Sequence, residues 1–187
     1  MAKVIVWNLV TLDGYFEGRE KWDLSFHGAA WGPDLEKLSE SFGELASLLV
    51  FGRVTYEGMK AYWTTVEDEE NVKQFMNAKP KLVASRTLTG SDWNNTSITA
   101  DIAGEISRLR KEPGGNIYIF GSAELVDSLL KQDLVDEIML CIVPVRLGGG
   151  TPFFKEADST RKLSLIDVRQ IDSGGVILRY DTGAAAV

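Results

Sequence analysis

The sequence is poor in the residues that build disulfide frameworks and metal sites. Of 187 residues, only one is a cysteine and one a histidine. A disulfide within the chain is therefore impossible, and no dedicated set of Cys and His ligands is available for zinc. Cys141 lies in the apolar run "IMLCIVPV", which indicates a buried core thiol rather than a nucleophile. We expect no metal site.

Long apolar runs and basic clusters are also missing. The N-terminal "MAKVIVWNLV" is too short for a signal peptide or a membrane span, and no later segment approaches about 20 apolar residues. The 20 basic and 27 acidic residues give a net charge of -7. No block of lysines or arginines would neutralise a nucleic-acid backbone or an anionic membrane. We expect a cytoplasmic protein with neither partner.

Two common nucleotide-binding fingerprints are absent. Neither G-x-G-x-x-G after the first strand nor the P-loop pattern occurs, which disfavours a Rossmann domain. With 44% hydrophobic residues, the chain is long enough to bury one substantial core. We expect a single domain over residues 1–182, followed by a frayed tail over 183–187.

Short apolar runs alternate with helical patterns along most of the chain. Strands are predicted at "KVIVWNLV", "SLLVFG", "KLVASRTL", "NIYIFG" and "EIMLCIVPV". Helical spacing of apolar residues lies between them, as in Leu35, Leu38, Phe42 and Leu45. The last runs, "KLSLIDVRQI" and "GVILRYD", follow without helices and are joined as in a hairpin. The pattern predicts an α/β fold with helices on both faces of a mixed sheet that ends in an antiparallel hairpin.

Three predicted strand ends carry residues suited to a phosphorylated ligand. They are Gly52, Arg53 and Thr55, then Ser85 and Arg86, then Gly121 and Ser122. Ligands of such sheets bind at the carboxyl ends of parallel strands, where helix N-termini favour anions. Each group alone is also typical of turns and helix caps. Their occurrence at three strand ends of one sheet favours an anion site.

Several segments resemble the dihydrofolate reductase superfamily in their order along the chain. They are "TLDGYFEG", "LLVFGRVTYEGM", "KLVASRTL", "IYIFGSAELVDSLL", "LVDEIMLCIVPVRLGGGTPFF" and the closing hairpin. The similarity is closer to the branch that includes the C-terminal reductase domain of the bifunctional riboflavin-biosynthesis deaminase-reductase. It covers nearly the whole chain. It implies a dihydrofolate reductase-like three-layer α/β/α sandwich and NADPH-dependent reduction of a pterin-like or ribosylaminopyrimidine-like substrate.

The resemblance also implies roles for individual residues. Those expected to contact NADPH are Thr11, Gly52, Arg53, Val54, Thr55, Ser85, Arg86, Gly121, Ser122, Ala123 and Glu124. Many relatives have two consecutive glycines where this chain has Gly121 and Ser122. The loop over residues 11–14 resembles the segment that closes beside the nicotinamide. The "LGGG" loop over residues 147–150 resembles a loop near the active site in the riboflavin-type branch, so Gly148 and Gly149 are expected to bind the substrate.

Three side chains are candidates for a proton donor. Asp34 follows Trp31 at the place where dihydrofolate reductase proper has its carboxylate, although helix capping is the alternative role. Asp13 lies in an Asp-Gly turn, and His27 in an aromatic-rich loop without a visible partner. Trp22 and Trp31 flank the expected substrate loop and suit stacking on a flat heterocycle.

Three functions remain open from the sequence. The chain is an NADPH-dependent reductase, a true dihydrofolate reductase, or a regulatory nucleotide-binding module that has lost catalysis. It contains no deaminase domain, so a role in riboflavin synthesis would be restricted to the reduction step. We also expect a symmetric homodimer, because "EIMLCIVPV" and the hairpin are expected to form a long apolar sheet edge.

Overall fold

The computed structural model describes residues 2–67, 70–157 and 160–184. The strands in these ranges are β1 (Val4–Thr11), β2 (Tyr15–Glu17), β3 (Ala46–Gly52), β4 (Lys81–Ala84), β5 (Thr96–Thr99), β6 (Asn116–Phe120), β7 (Glu137–Val143), β8 (Thr151–Pro152), β9 (Ser164–Gln170) and β10 (Val176–Asp181). The helices are α1 (Pro33–Leu45), α2 (Arg53–Thr65), α3 (Glu70–Ala78), α4 (Ile102–Leu109) and α5 (Ala123–Leu130), with a 3-10 helix over Ser25–Ala29. No helix among these residues is long and apolar enough to cross a bilayer.

One mixed sheet of eight strands forms the centre of the molecule. Its order is β5-β4-β3-β6-β1-β7-β10-β9, and β2 pairs with β8 in a separate two-stranded sheet. The strands from β5 to β7 in this order are parallel, whereas β10 is antiparallel to both β7 and β9. The mixed sheet with its C-terminal hairpin is therefore confirmed.

Alternating residues of β1 show how the sheet divides the core. Ile5, Trp7 and Leu9 lie in the cluster that contains the buried faces of α1, α2 and α3. Val4 and Val6 lie in the other cluster, with α4 and α5. Successive side chains of a strand point to opposite faces, so both faces of β1 are buried under helices. The three-layer α/β/α architecture follows.

Several elements differ from the sequence-based prediction. Helix α3 was not predicted, although Val72, Phe75 and Met76 have helical spacing and are buried. Strand β5, "TSIT", was missed because it is a polar edge strand without an apolar run. The two-residue and three-residue strands β8 and β2 carry too little pattern to predict.

The expected position of β7 at a sheet edge is wrong. β7 pairs with β1 on one side and β10 on the other, so the exposed edge of this half of the sheet is β9. The terminal hairpin adds two strands beyond β7 and covers its edge. In the expected frayed tail, the N–H groups of Gly183 and Ala184 donate to the side chains of Asp181 and Thr182, and residues 185–187 lie outside the described residues.

Strand register brings the predicted ligand-binding turns together at one edge of the sheet. Gly52 at the end of β3 is opposite Ala84 at the end of β4. Val50 is opposite Ile119 of β6, so Gly52 and Gly121 follow on adjacent strands. Trp7 is opposite Phe120, which brings Asn8 of β1 beside the same turn.

Candidate active site

The turns after β3 and β6 are in direct contact. Gly121 has a φ of 67°, and a Cβ there would lie 2.5 Å from Cγ2 of Thr55. A Cβ on Gly52 would overlap the side chain of Ser122. Only glycine permits this approach of the two turns at both positions. Helices α2 and α5 begin at these turns, so their free N–H groups and positive dipole ends lie at the same edge of the sheet.

Arg53 and Arg86, the two arginines predicted to bind a phosphate, differ in whether an acidic side chain pairs with them. Nη1 of Arg53 lies 3.0 Å from both carboxylate oxygens of Glu57, one turn along α2, and both side chains are about half exposed. Arg86 is exposed and forms no ion pair within the described ranges. The Ser85 hydroxyl accepts from the N–H groups of Thr87 and Leu88 and thereby shapes the turn that carries Arg86.

A large cavity opens beside this edge, between the sheet and helices α1, α2 and α3. It has a volume of about 450 Å³. The side chains that line it are mostly aromatic or aliphatic: Trp7, Leu9, Trp22, Leu24, His27, Trp31, Ser39, Phe42, Met59, Tyr62, Trp63, Val72, Phe75, Met76 and Phe120, with Gly28. Four of the five tryptophans are among them. We call this space the aromatic cavity.

A smaller cleft of about 60 Å³ lies beside the aromatic cavity and reaches the glycine turns. Most of its lining is apolar, but we call it the polar cleft because buried Asn8, Glu17 and Thr55 line it. It shares Trp22, His27 and Phe120 with the cavity, and it includes Thr55 and Gly121 of the turns. The cleft and the cavity therefore adjoin each other, and ligand groups bound in them would lie side by side.

Besides Thr55, two buried polar side chains line the polar cleft. Asn8 is 6% exposed, and its Nδ2 is buried without a hydrogen-bond partner among the described residues. Glu17 is 8% exposed, and its carboxylate accepts from the Trp22 N–H at 2.8 Å and from the Thr151 hydroxyl at 3.1 Å. An unpaired buried amide is costly, which makes Asn8 a donor suited to a ligand. The sequence-based prediction missed both residues.

Trp22 is held in a left-handed backbone conformation. Its φ is 65°, which is rare for a bulky residue and costs about 1–3 kcal/mol. The hydrogen bond from its N–H to buried Glu17 offsets part of that cost. Its indole packs so closely on α2 that a Cβ on Gly58 would overlap it. Trp22 thus forms a fixed wall between the aromatic cavity and the polar cleft.

Asp13 connects the loop after β1 with the "LGGG" loop. Its carboxylate accepts from the N–H groups of Leu147 and Gly148 at 3.0 and 2.7 Å, and from the Thr11 hydroxyl at 2.7 Å. The hydrogen bond from Gly148, followed by those from the other groups, lowers the pKa of Asp13 to about 2. A carboxylate held ionised in this way anchors a loop and is a poor proton donor near neutral pH.

The "LGGG" loop packs against the segment that follows β2. A Cβ on Gly149 would lie 2.6 Å from the Arg19 guanidinium. Gly148, with a φ of 76°, is exposed and has no atoms near its Cβ position. Neither glycine lines the aromatic cavity. Their role in substrate binding stays a prediction.

Asp34 lies in the first turn of α1, away from the cavity lining. It is exposed, and its Oδ2 accepts from the backbone N–H of Asp172 in the β9–β10 hairpin at 2.9 Å. The N-cap position of α1 is Gly32, so Asp34 does not cap the helix but lies where its charge complements the dipole. Its role as a proton donor stays a prediction.

His27 lies in the wall shared by the aromatic cavity and the polar cleft. Its ring packs edge-on against Phe26, with the centroids 4.8 Å apart. Burial lowers the pKa of His27 to about 4, so the imidazole is neutral at physiological pH. A neutral imidazole offers one hydrogen-bond donor and one acceptor to a ligand.

These features fit a dinucleotide with an adjoining planar substrate. The glycine turns and helix N-termini suit a pyrophosphate, and Arg53 and Arg86 supply positive charge at the ends of β3 and β4. The unpaired Asn8 amide lines the polar cleft, where it is a hydrogen-bond donor suited to a ligand. No cluster of three metal-ligating side chains occurs within the described ranges.

Comparisons with known proteins agree with this geometry. The model of the RibD C-terminal domain family matches residues 2–177. The uncharacterized protein YyaP of Bacillus subtilis is 30% identical over 181 residues, which cover 95% of this chain and 94% of YyaP. The related protein YwjB of the same organism is 28% identical over 171 residues, which cover 90% of this chain and 91% of YwjB.

Solved structures show the same fold. A protein of Shewanella sp. PV-4, provisionally assigned to riboflavin biosynthesis, has a TM-score of 0.73 and 24% identity, covering 97% of this chain and 98% of that one. Dihydrofolate reductase from Enterococcus faecalis, complexed with NADP(H) and RAB-propyl, has a TM-score of 0.61 and 15% identity, covering 97% and 96%. The dihydrofolate reductase-like fold is confirmed, and because the family model spans nearly all of the sequence, the chain belongs to the RibD C-terminal domain family, a family of reductases.

Proposed function

We propose that this protein is an NADPH-dependent reductase that acts on a C=N or similar bond of a flat heterocyclic substrate. The observation that carries the proposal is that the glycine turns and the aromatic cavity adjoin. The polar cleft beside Gly121 and Thr55 shares lining side chains with the aromatic cavity, among them Trp22, His27 and Phe120. Two planar groups in these spaces would be in contact, as hydride transfer requires.

The residues of the chain would bind and orient the two reactants. NADPH, when bound, supplies a hydride to the carbon of the C=N bond while the nitrogen takes a proton, which leaves NADP⁺ and an amine. The glycine turns would hold the pyrophosphate, and Arg53 and Arg86 the 2'-phosphate. The amide of Asn8 would donate to the ring system in the cleft. Glu17 is the acidic side chain that lines this cleft among the described residues.

Cofactor selection provides the test. A hydrogen bond to a charged group contributes about 1.5–3 kcal/mol, so loss of each arginine should weaken NADPH binding by about tenfold or more. We expect the double variant Arg53→Ala/Arg86→Ala to lose NADPH affinity while NADH affinity changes little. Arg108→Ala is the matched control, since Arg108 is an exposed arginine of α4 that pairs with Glu105 and Glu112.

The measurement is a titration of each dinucleotide by quenching of tryptophan fluorescence, with NADPH oxidation followed across a panel of pterins, ribosylaminopyrimidines and imines. An unchanged ratio of NADPH to NADH affinity in the double variant would contradict the assignment of the arginines. NADPH binding without oxidation of NADPH by any panel member would favour the non-catalytic nucleotide-binding module instead.

We also propose that two copies associate through β9. This edge strand exposes large apolar side chains on its outer surface, those of Leu165 (56%), Ile166 (45%) and Val168 (55%). An antiparallel pairing centred on Val168 would place Asp167 opposite Arg169 of the second copy, so that opposite charges face each other twice. Light scattering at micromolar concentration should give a dimer mass, and Val168→Lys should give a monomer. A monomer mass for the parent would remove the proposal.

A further inference from the structure

The aromatic cavity contains no charged side chain. Among the described residues that line it, none is Lys, Arg, Asp or Glu. The nearby lysines of α2 and α3 are directed elsewhere: Lys60 forms an ion pair with Asp92, and Lys73 donates to the carbonyl of Val66. The cavity therefore offers no cation to an anionic substrate.

Two polar side chains in the lining are hydrogen-bonded within the protein. The Ser39 hydroxyl donates to the Leu35 carbonyl at 2.8 Å, and the Trp63 indole N–H donates to the sulfur of Met59 at 3.3 Å. The imidazole of His27 and the indole N–H groups of Trp7, Trp22 and Trp31, which form no hydrogen bond with the described residues, are therefore available to a ligand. All of these groups are uncharged when His27 is neutral.

A phosphorylated substrate fits such a cavity poorly. A phosphate monoester carries close to two negative charges near neutral pH. Burial of an unpaired charge in an apolar space is strongly unfavourable. Flat aromatic rings, in contrast, bury large apolar areas against tryptophan and phenylalanine side chains. The volume of about 450 Å³ lies within the range of small-molecule sites.

We infer that the aromatic cavity binds an uncharged, flat heterocycle without a phosphoribosyl group, with His27 as one of its hydrogen-bonding partners. This inference rests on the proposed function only in its assumption that the bound heterocycle is the substrate; the binding preference itself does not require reductase activity. It separates this chain from reductases whose substrate carries a ribose phosphate.

Binding measurements with three compounds test the inference without requiring turnover. Calorimetric titrations would use quinazoline, a neutral bicyclic compound with C=N bonds, together with a ribosylaminopyrimidine and its 5'-phosphate. We expect quinazoline to bind at least about tenfold more tightly than the 5'-phosphate, equivalent to about 1.4 kcal/mol. We also expect removal of the phosphate to improve binding of the ribosyl compound. Equal or tighter binding of the 5'-phosphate, or no binding of quinazoline, would overturn the inference.

Variants at the rim of the cavity make the test specific. Trp31 lines the cavity and is 37% exposed, so its replacement should not unfold the protein. Trp31→Ala should weaken quinazoline binding about tenfold or more, and Trp31→Arg should strengthen binding of the 5'-phosphate about fivefold by supplying the missing cation. Phe154→Ala and Phe154→Arg are matched controls, because Phe154 is an exposed aromatic residue outside this cavity. Equal effects at both positions would contradict the inference.

Failure of this inference can be told apart from failure of the proposed function. If NADPH is oxidised only in the presence of the phosphorylated compound, the reductase function stands and the inference is overturned. If NADPH does not bind but quinazoline binds with the expected preference, the proposed reductase function fails and the specificity of the cavity stands. NADPH titration is therefore done in the same buffer without a second ligand.

Discussion

The proposed cofactor-binding edge of the sheet, here called the cofactor edge, and the aromatic cavity are built in different ways. The cofactor edge consists of short consecutive segments, 52–55, 84–86 and 121–124, that would contribute mainly backbone groups and exposed arginines to NADPH binding. The cavity consists of single side chains from β1, the segment after β2, the 3-10 helix, three α-helices and β6. A site made of local turns depends on glycine geometry, whereas a site made of distant side chains depends on the whole core.

This difference predicts which substitutions separate binding from folding. At the cofactor edge, a side chain can be removed without loss of core packing, because Arg53 and Arg86 are exposed. In the cavity, the walls are also the core, since Phe42 and Met76 are 1% exposed. Loss of function at these buried walls should therefore be accompanied by loss of stability, in contrast to substitution of Trp31 at the exposed rim.

The largest expected effect is on the cavity wall. Phe42 contacts the rings of Trp7, Tyr118 and Phe120 at centroid distances of 5.0 to 5.8 Å. Phe42→Ala should lower the free energy of unfolding by about 3–5 kcal/mol, the usual cost of truncating a buried phenylalanine. Urea denaturation measures it, with Phe154→Ala as an exposed control expected to stay within about 0.5 kcal/mol. A loss below about 1 kcal/mol for Phe42→Ala would show that this wall is not part of the core.

A smaller effect is expected at the cofactor edge. Gly121→Ala introduces a left-handed alanine and a contact with Thr55, so we expect a loss of at least about 2 kcal/mol in stability together with weaker NADPH binding. Gly174→Ala is the control, because Gly174 has a φ of 87° in a remote hairpin with open space at its Cβ position. It should cost only about 1 kcal/mol and leave NADPH affinity unchanged. Identical losses in both variants would show that the contact between the two turns is unimportant.

The same contrast explains how much was predictable from the sequence. Glycine, serine and arginine at strand ends are local signals, and parallel strands bring such ends together wherever the fold is right. The turns at Gly52 and Gly121 were therefore predicted to share an edge, and they are in contact. The mixed sheet and its hairpin followed from apolar runs in the same way.

The aromatic cavity could not be derived in this manner. Val72 and Phe75 contribute to it from α3, a helix whose short pattern was not recognised. Glu17 lies in the "TLDGYFEG" segment and Asn8 in the first apolar run, but neither was expected to bind a ligand, because their burial depends on the packing of β2, the following segment and β8 around the end of β1. Tertiary contacts, not local sequence, give these residues their position.

The pH dependence of stability probes the boundary between the two regions. The pKa of His27 is lowered to about 4 by burial, against 6.5 in the unfolded chain, so the unfolded state binds more protons between these values. The free energy of unfolding should therefore fall as the pH falls from about 6.5 to about 4. Allowing for the partial exposure of His27, we expect a loss of about 1–2 kcal/mol, since one pKa unit corresponds to 1.36 kcal/mol.

Urea denaturation at several pH values gives the measurement, with His27→Phe as the variant that lacks this titration. The pKa of Asp13 is lowered to about 2, so its contribution is present above about pH 4 and is lost only as the pH falls towards 2. The pH ranges in which His27 and Asp13 affect stability therefore do not overlap. An equal slope between pH 4 and 6.5 in parent and His27→Phe would show that His27 is not buried in neutral form.

The smallest expected effect concerns the charge available at the cofactor edge. Glu57 holds Arg53 through an exposed pair one turn apart, a geometry worth about 0.3–0.5 kcal/mol. Glu57→Gln should release the guanidinium and strengthen NADPH binding about twofold, because about 1.4 kcal/mol corresponds to tenfold. High salt should abolish the difference, since exposed charges are screened. Glu105→Gln, which removes a similar exposed partner from Arg108 on α4, should leave NADPH affinity unchanged. Weaker NADPH binding in Glu57→Gln would mean that the pair positions Arg53 for the cofactor rather than competing with it.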